Sequence, residues 1–467
     1  MKAKLILFLF VCQILFVLSQ ANAQQNPHWI DSTLTHNELN AIAVGDLDGD
    51  GDVDVVSGHD NGVYWHENDG NGHFSPRQKI TKQAEYSYVT AIEVADLNSD
   101  GKPDIVFSSI RYPVAWIKNF GDGHFSGINS LLDGELKGMQ ILISDIDNDN
   151  HKDIIASINR KEWPFYKGII TLRNQGDGNF DNPVQLKMPT EYYFYSLHVA
   201  DFNGDNYDDI EYLYDGKMVI HINDGNGIFK NYQKIPISDV RFNLAADINH
   251  DGIDDFVFYD YKNHTLSWNE NTGLPGLGPE NLISSPAYHV DDISFCDMDG
   301  DGIKDLLLPF NTIGYSPNMG WNVRVGWLKN DGKGNFDRPV FLGDRIHRRT
   351  PEEIYAADMD SDGDLDAVVS LASSHFYDGI VWYENQLAEN NKLNVFPNPT
   401  DGQVTISTVD EMKMIKVFDA YGQELQRLSD IKGKRQTLNL SLYATGIYII
   451  IVYAGQEELS AKVVRRK

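Results

Sequence analysis

DLDGDGDVD (Asp46–Asp54), DLNSDGKPD (Asp96–Asp104), DIDNDNHKD (Asp145–Asp153), DFNGDNYDD (Asp201–Asp209), DINHDGIDD (Asp247–Asp255), DMDGDGIKD (Asp297–Asp305) and DMDSDGDLD (Asp358–Asp366) are seven copies of one acidic nine-residue loop. Each copy starts 46 to 61 residues after the one before it. Position 1 is always aspartate: Asp46, Asp96, Asp145, Asp201, Asp247, Asp297 and Asp358. Position 3 is Asp48, Asn98, Asp147, Asn203, Asn249, Asp299 and Asp360, and position 5 is Asp50, Asp100, Asp149, Asp205, Asp251, Asp301 and Asp362. Position 9 is Asp54, Asp104, Asp153, Asp209, Asp255, Asp305 and Asp366. Carboxylate and amide oxygens at these four positions form a hard donor set of the kind Ca²⁺ takes, and a backbone carbonyl at position 7 would complete it. The pattern predicts up to seven Ca²⁺ ions with a structural role, because carboxylates this crowded repel one another without a cation. A repeat of this period specifies an architecture before any single residue specifies a function.

The loop is not an EF-hand, which needs a bidentate glutamate at position 12 and flanking helices. Position 12 here is Ser57, Phe107, Ala156, Tyr212, Phe258, Leu308 and Val369. The flanks read as strands instead. Short alternating runs such as AIAVGD, AIEVAD and SLHVAD precede the loops, and β-branched runs such as DVVSG, DIVFS and DIIAS follow them. Position 6 must turn with positive φ, and it holds only Gly51, Gly101, Asn150, Asn206, Gly252, Gly302 and Gly363.

A third strand ends each time in asparagine, at Asn68, Asn119, Asn174, Asn223, Asn271, Asn330 and Asn385. After most of these come a Gly/Asp turn and a fourth strand. Four antiparallel strands per repeat describe a β-propeller blade, so the expected fold is all-β, a seven-bladed β-propeller over residues 24–386. The seventh repeat stops at its third strand, and HWIDSTLT (His28–Thr35) supplies a fourth-strand pattern just ahead of the first repeat. The N-terminal strand is therefore expected to complete the last blade and close the ring. Trp65, Trp116, Trp268, Trp327 and Trp382 recur at one third-strand position and read as core.

The net charge of −29 is mostly loop chemistry, since 25 aspartates occupy ligand positions. A nucleic-acid partner is excluded on charge. Lys2 and Lys4, the apolar run Leu5–Leu18 and Ala21-Asn22-Ala23 read as a secretory signal peptide over residues 1–23, with no membrane span after its cleavage. Cys296 is then the one cysteine left, and it reads as a buried free thiol.

The acidic loops, with the GDGxF turns Gly121–Phe125 and Gly176–Phe180, resemble the FG-GAP/VCBS repeat family, which includes the integrin α-subunit head. The resemblance implies a propeller with Ca²⁺ loops between first and second strands, in a family of mostly extracellular adhesion and ligand-binding modules. Beyond a linker at 387–392, residues 393–467 carry FPNPTDG, VFDAYG, GIYIIIV and a final KVV. This tail resembles the type A sorting domain of the type IX secretion system. That implies a small Ig-like β-sandwich, the type IX machinery as partner, and a route through the periplasm to the outer surface or the medium.

Partner binding is expected on the face opposite the metal loops, where the second-to-third and fourth-to-first connections meet. These connections are irregular and aromatic: Trp163, Phe165 and Tyr166 in repeat three, Tyr315 and Trp321 in repeat six, His375 and Tyr377 in repeat seven. Tyr112, Tyr193, His289 and Arg348 join them. Variable loops on a rigid scaffold are where function usually sits. Rings with arginines suit stacking on sugars and pairing with acidic groups, so the expected function is a binding or adhesion module for glycan or a surface protein. The alternative is a polysaccharide-degrading, lyase-like enzyme with its site in the central funnel. No ordered catalytic motif appears and no catalytic residue is assigned; His289, His347, His375 and Glu352 are the groups to test for acid/base work.

Overall fold

The structure is a computed structural model that describes residues 27–466, except 35–38, 82–87, 133–135, 161–165, 187–193, 215, 238–239, 261, 274–275, 285–291, 317–319, 344–345, 348–349, 373–377, 386–392, 397–399, 401, 409–410, 420–422, 430, 432 and 456. The signal-peptide segment, and the side chains of most of the expected ligand face, lie outside the described residues. The chain is all-β, with no helix among the described residues.

Each repeat makes one antiparallel sheet. In the first, Leu39–Gly45, Asp54–His59, Gly62–His66 and Gln78–Lys79 follow in chain order across the sheet, and the acidic loop joins the first two strands. The same order recurs through repeat six. In the second sheet a small hairpin, Asn119–Gly121 with His124–Phe125, sits before the fourth strand. The seventh sheet uses Thr350–Ala357, Asp366–Ala372 and Gly379–Tyr383, and takes its fourth strand from His28–Asp31. His28 pairs with Trp382 and Trp29 with Val381, so the two ends of the repeat array share one sheet.

Between successive sheets lie seven apolar clusters. Six join neighbours in sequence, and the seventh joins the last sheet to the first through Ile30, Leu34, Leu39, Ile42, Val55, Val368, Ile380 and Trp382. Second strands are almost wholly buried because neighbouring sheets cover both of their faces, which explains the continuous apolar runs after each loop. The third-strand tryptophans are core as expected, each no more than 7% exposed. Four of them lie under a glycine of the next repeat's turn. A Cβ on Gly123, Gly178, Gly334 or Gly72 would sit 2.1 to 2.8 Å from the ring of Trp65, Trp116, Trp268 or Trp382. That contact gives the second glycine of the turn its reason. The Gly72–Trp382 contact again joins the first repeat to the last.

The tail forms two further sheets: Leu393–Phe396, Gln403–Thr408 and Arg435–Asn439 in one, and Met412–Asp419, Glu424–Ser429, Gly446–Ala454 and Glu457–Arg465 in the other. They share one apolar cluster that includes Val404, Ile406, Ile415, Ile450 and Val452. Cys296 lies on a first strand and is half-buried; burial pushes its thiol up to about 12, where it stays protonated.

Candidate metal centres and the ligand face

Backbone geometry builds each loop around its first aspartate. The position-6 N–H donates to Oδ2 of position 1 in all seven copies, at 2.6 to 3.1 Å. Position 6 has φ between 68° and 101° throughout, as the residue types required. Position 4 is also left-handed in every loop, including the non-glycine residues Ser99, Asn148, His250 and Ser361 at φ 58° to 65°. Sequence reading missed that second turn, because only Gly49, Gly204 and Gly300 signal it.

The position-9 aspartate does two things. Its Oδ1 accepts the N–H of the third-strand asparagine at 2.7 to 2.8 Å in all seven repeats. Its Oδ2 accepts the position-2 N–H in six of them. In the remaining one, Asp209 Oδ2 is buried with no hydrogen-bond partner. A carboxylate oxygen that accepts one hydrogen bond keeps a further lone pair for a cation; Asp104 Oδ2 is the exception, since it also accepts from Asn98 Nδ2 at 2.7 Å.

The asparagine explains its own recurrence, which the sequence displayed without a reason. Its Nδ2 donates to the position-8 carbonyl of its own loop and to the position-2 carbonyl of the preceding repeat's loop, as Asn119 does to Pro103 and Leu47. The inter-sheet bonds run Asn119 to Leu47, Asn174 to Leu97, Asn223 to Ile146, Asn271 to Phe202, Asn330 to Ile248, Asn385 to Met298 and Asn68 to Met359. The last of these returns from the first repeat to the seventh. The metal loops and the ring of staples are thus one construction.

The donors fit a divalent cation. Ligand oxygens of Asp46, Asp48 and Asp50 converge within 4.8 Å, as do those of Asp145, Asp147 and Asp153, of Asp297, Asp299 and Asp305, and of Asp358, Asp360 and Asp366. Loops two, four and five carry asparagine at position 3, an uncharged donor. Burial, with repulsion from neighbouring carboxylates, pushes Asp54, Asp153, Asp209 and Asp305 up to about 7. A bound cation reverses that penalty, and Asp209 Oδ2 is an acceptor waiting for one.

On the other face, the structure brings together part of the expected set. The second and third strands of repeat six, Asp305–Ser316 and Gly320–Leu328, run well past their sheet and carry Tyr315 and Trp321. Ile346–His347 pairs against that hairpin, Val323 with Ile346 and Asn322, next in the chain to Trp321, with His347. Tyr166 begins a third strand, opposite Arg160. Tyr112 is half-buried, edge-on to Phe107 and under the Arg111 guanidinium, at 5.6 Å. Trp163, Tyr193, His289, Arg348, His375 and Tyr377 lie outside the described residues.

A polar group that the sequence reading passed over lies on the innermost strands. Glu93 lines a cavity of about 470 Å³ with Lys152 and His198, bounded by the first strands of repeats two to five. Burial and the charge of Asp292 push Glu93 up to about 7. Glu353 and Tyr355, from repeat seven, are raised by burial and by the same carboxylates. Glu353 accepts the Ile42 N–H at 2.6 Å, and Asp292 accepts the Ile354 N–H at 2.9 Å, so each also bridges two sheets. A charged residue inside an otherwise apolar first strand, as in AIEVAD, was the signal.

The model described as FG-GAP-like repeat matches residues 46–107, 96–156, 201–258 and 247–308, and the one described as secretion system C-terminal sorting domain matches residues 394–466. The chain carries four matched FG-GAP-like repeats and a C-terminal sorting domain. The sorting domain implies engagement by the type IX secretion system and export to the cell surface or beyond. Among the described residues no helix is long and apolar enough to cross a membrane. A comparison with curated protein sequences finds no match.

Among solved structures the FG-GAP chain is similar to an Agrocybe aegerita lectin described as recognising non-reducing terminal N-acetylglucosamine, with TM-score 0.50, 19% identity, and coverage of 73% of this chain and 86% of that one. It is also similar to BBS1N in complex with ARL6DN, with TM-score 0.48, 12% identity, and coverage of 77% and 95%. Virginiamycin B lyase from Staphylococcus aureus is a third, with TM-score 0.45, 12% identity, and coverage of 77% and 98%. Identities this low speak to the β-propeller-like fold alone.

Proposed function

We propose that the seven sheets are blades of a closed seven-bladed β-propeller over residues 24–386, stabilised by Ca²⁺ in its loops and linked through 387–392 to a C-terminal β-sandwich. The protein serves as a secreted or surface-held binding or adhesion module whose ligand is a glycan or a surface protein. The observation that carries this reading is the extended hairpin of repeat six, which carries Tyr315 and Trp321 in its backbone at the end away from the acidic loops and is paired with Ile346–His347. The metal-loop face is committed to the asparagine staples, so the other face is free to vary. Tyr112, Trp163, Tyr166, Tyr193, His289, Arg348, His375 and Tyr377 belong to the same binding face. A glycan array that includes terminal N-acetylglucosamine and anionic polysaccharides tests the reading. Binding that is lost in Trp321→Ala supports it, and a blank array with no captured surface protein overturns it.

The second reading, a polysaccharide-degrading enzyme of lyase type, draws on Glu93 and Glu353. Burial raises both carboxyls, Glu93 to about 7, where a carboxyl can act as a general acid near neutrality, and Glu93 faces a cavity with His198. Release of unsaturated products from an anionic polysaccharide, abolished in Glu93→Gln, would favour it over binding alone.

A further inference from the structure

The residue immediately before each third-strand asparagine sits beside its own acidic loop, and its chemistry differs between repeats. It is Glu67, Lys118, Arg173, Ile222, Glu270, Lys329 and Glu384 in chain order. In repeat six the Lys329 ammonium bonds Asp299 and Asp301, the latter at 2.8 Å. In repeat two Lys118 Nζ lies 3.0 Å from Asp100 Oδ2 and 3.1 Å from Asn98 Oδ1. In repeat three Arg173 is shared: Nη1 lies 3.7 Å from Asp147 Oδ2 of the loop, while Nη2 bonds Asp181 Oδ2 at 2.9 Å outside it. Where that residue is Glu384, its charge adds to the repulsion on Asp360 instead. Over the nine loop residues and this neighbour, with histidine neutral, the formal charge is −6 in repeats one and seven, −5 in five and −4 in four. It is only −2 in three and six, and −1 in two.

We infer that the seven loops fall into two classes: repeats one, four, five and seven take Ca²⁺ tightly, whereas repeats two, three and six carry a tethered Lys or Arg that occupies the carboxylate cage and competes with the ion. This rests on the calcium reading above and refines it. A tethered cation competes at high effective concentration, so a divalent ion must displace it at each encounter. Loops six and seven both read D-M-D-x-D-G-x-x-D and have Lys329 or Glu384 beside them, and because Arg435 of the tail lies 3.4 Å from Asp358 of loop seven, the two are compared with Arg435→Gln in the background. The lysines and the arginine spare three loops the need for metal, so part of the ring keeps its shape when Ca²⁺ is scarce.

The test is calorimetric Ca²⁺ titration of the full-length exported chain, with circular dichroism to confirm folding. The wild type is expected to show four tight sites and up to three weaker ones. Lys329→Glu should add a fifth tight site, raising the affinity of loop six on the order of tenfold or more, and Glu384→Lys should remove one. Should Glu384→Lys fail to fold, a chain carrying Lys118→Gln, Arg173→Gln and Lys329→Gln carries the test alone, with a rise towards seven tight sites. Seven equivalent sites in the wild type, or an unchanged number in the folded lysine variants, would overturn the inference while leaving the calcium reading intact. No Ca²⁺ binding by any form, with melting indifferent to chelator, overturns both.

Discussion

Asn223 shows how one residue makes three bonds at once. Its backbone N–H fixes Asp209, and its amide donates to the carbonyls of Ile146 and Asp208. Asn223→Ala leaves both carbonyls without their partner in a nearly waterless setting, which costs about 1–3 kcal/mol for each unsatisfied group. The variant should therefore lose about 2–4 kcal/mol in chemical denaturation, whereas Asn226→Ala, in the exposed turn, should stay within about 0.5 kcal/mol. Equal effects at the two sites would remove the staple from the account. Glu93 gives a second residue-scale prediction. Its folded pKa is raised to about 7 by burial and by Asp292; Lys152 and His198 line the same cavity, and Glu353 and Tyr355 are coupled to it electrostatically. A raised carboxyl means the unfolded state sheds its proton first, so stability falls as pH rises from about 4.5 through 7. Glu93→Gln should flatten that slope and be more stable than wild type at pH 8, by about 1–3 kcal/mol, as read from melting across pH. At this scale the sequence displayed the candidate metal donors openly, because hard-donor spacing is chemistry written in residue types. The staple asparagines were visible as a pattern, but their partners lie 69 to 87 residues away, or 291 where the ring closes, and no local rule reaches that far.

The element that decides closure is the strand His28–Asp31. Alternation and the missing fourth strand of repeat seven pointed to it, since period-two patterning is local information that survives without a structure. What the pattern could not give was the depth of the join. Leu34, just beyond the strand, is fully buried between the first and last sheets, with Ile30 beside it. Leu34→Ala should cost about 2–4 kcal/mol, the range for a large-to-small change in a packed site. A chain that begins after Thr35 should do worse than lose that energy. It would bare the Gly379–Tyr383 edge, whose unpaired N–H and C=O groups recruit another chain. Size-exclusion chromatography should show association of the truncated form, and addition of a synthetic peptide with the sequence of residues 27–35 should reduce it. A monomeric, normally stable truncated chain would show that closure does not depend on this strand.

For the whole molecule, charge is the governing quantity. The chain carries −29 overall, and its loops stand at one end of the sheets, so removal of Ca²⁺ sets their carboxylates against one another. Chelation should lower the melting temperature on the order of 10 °C, since each site held at a hundredfold excess over its dissociation constant contributes about 2.7 kcal/mol. The ligand stays illegible at this scale because it depends on which irregular loops meet in space, and the sequence orders loops without saying how far each projects. Among the described residues, the repeat-six hairpin with Ile346–His347 against it is the meeting that the structure supplies. The tail adds a last coupling. Ser361, Asp362 and Gly363 at the tip of loop seven are half-buried, while the tips of the other six loops are exposed. Arg435 of the sorting domain reaches that loop, with Nη1 2.8 Å from the Ser361 carbonyl and 3.4 Å from Asp358 Oδ2. Arg435→Gln removes the charge from this contact, and the exposed neighbour Lys434→Gln serves as control. The arginine variant should release its C-terminal unit to protease about two- to fivefold faster, a change of under about 1 kcal/mol, as expected for a partly exposed ion pair. High salt should speed the wild type and leave the variant nearly unmoved, because screening acts on the same interaction. Identical release from both variants, or a salt response that survives Arg435→Gln, would detach the tail from the seventh loop.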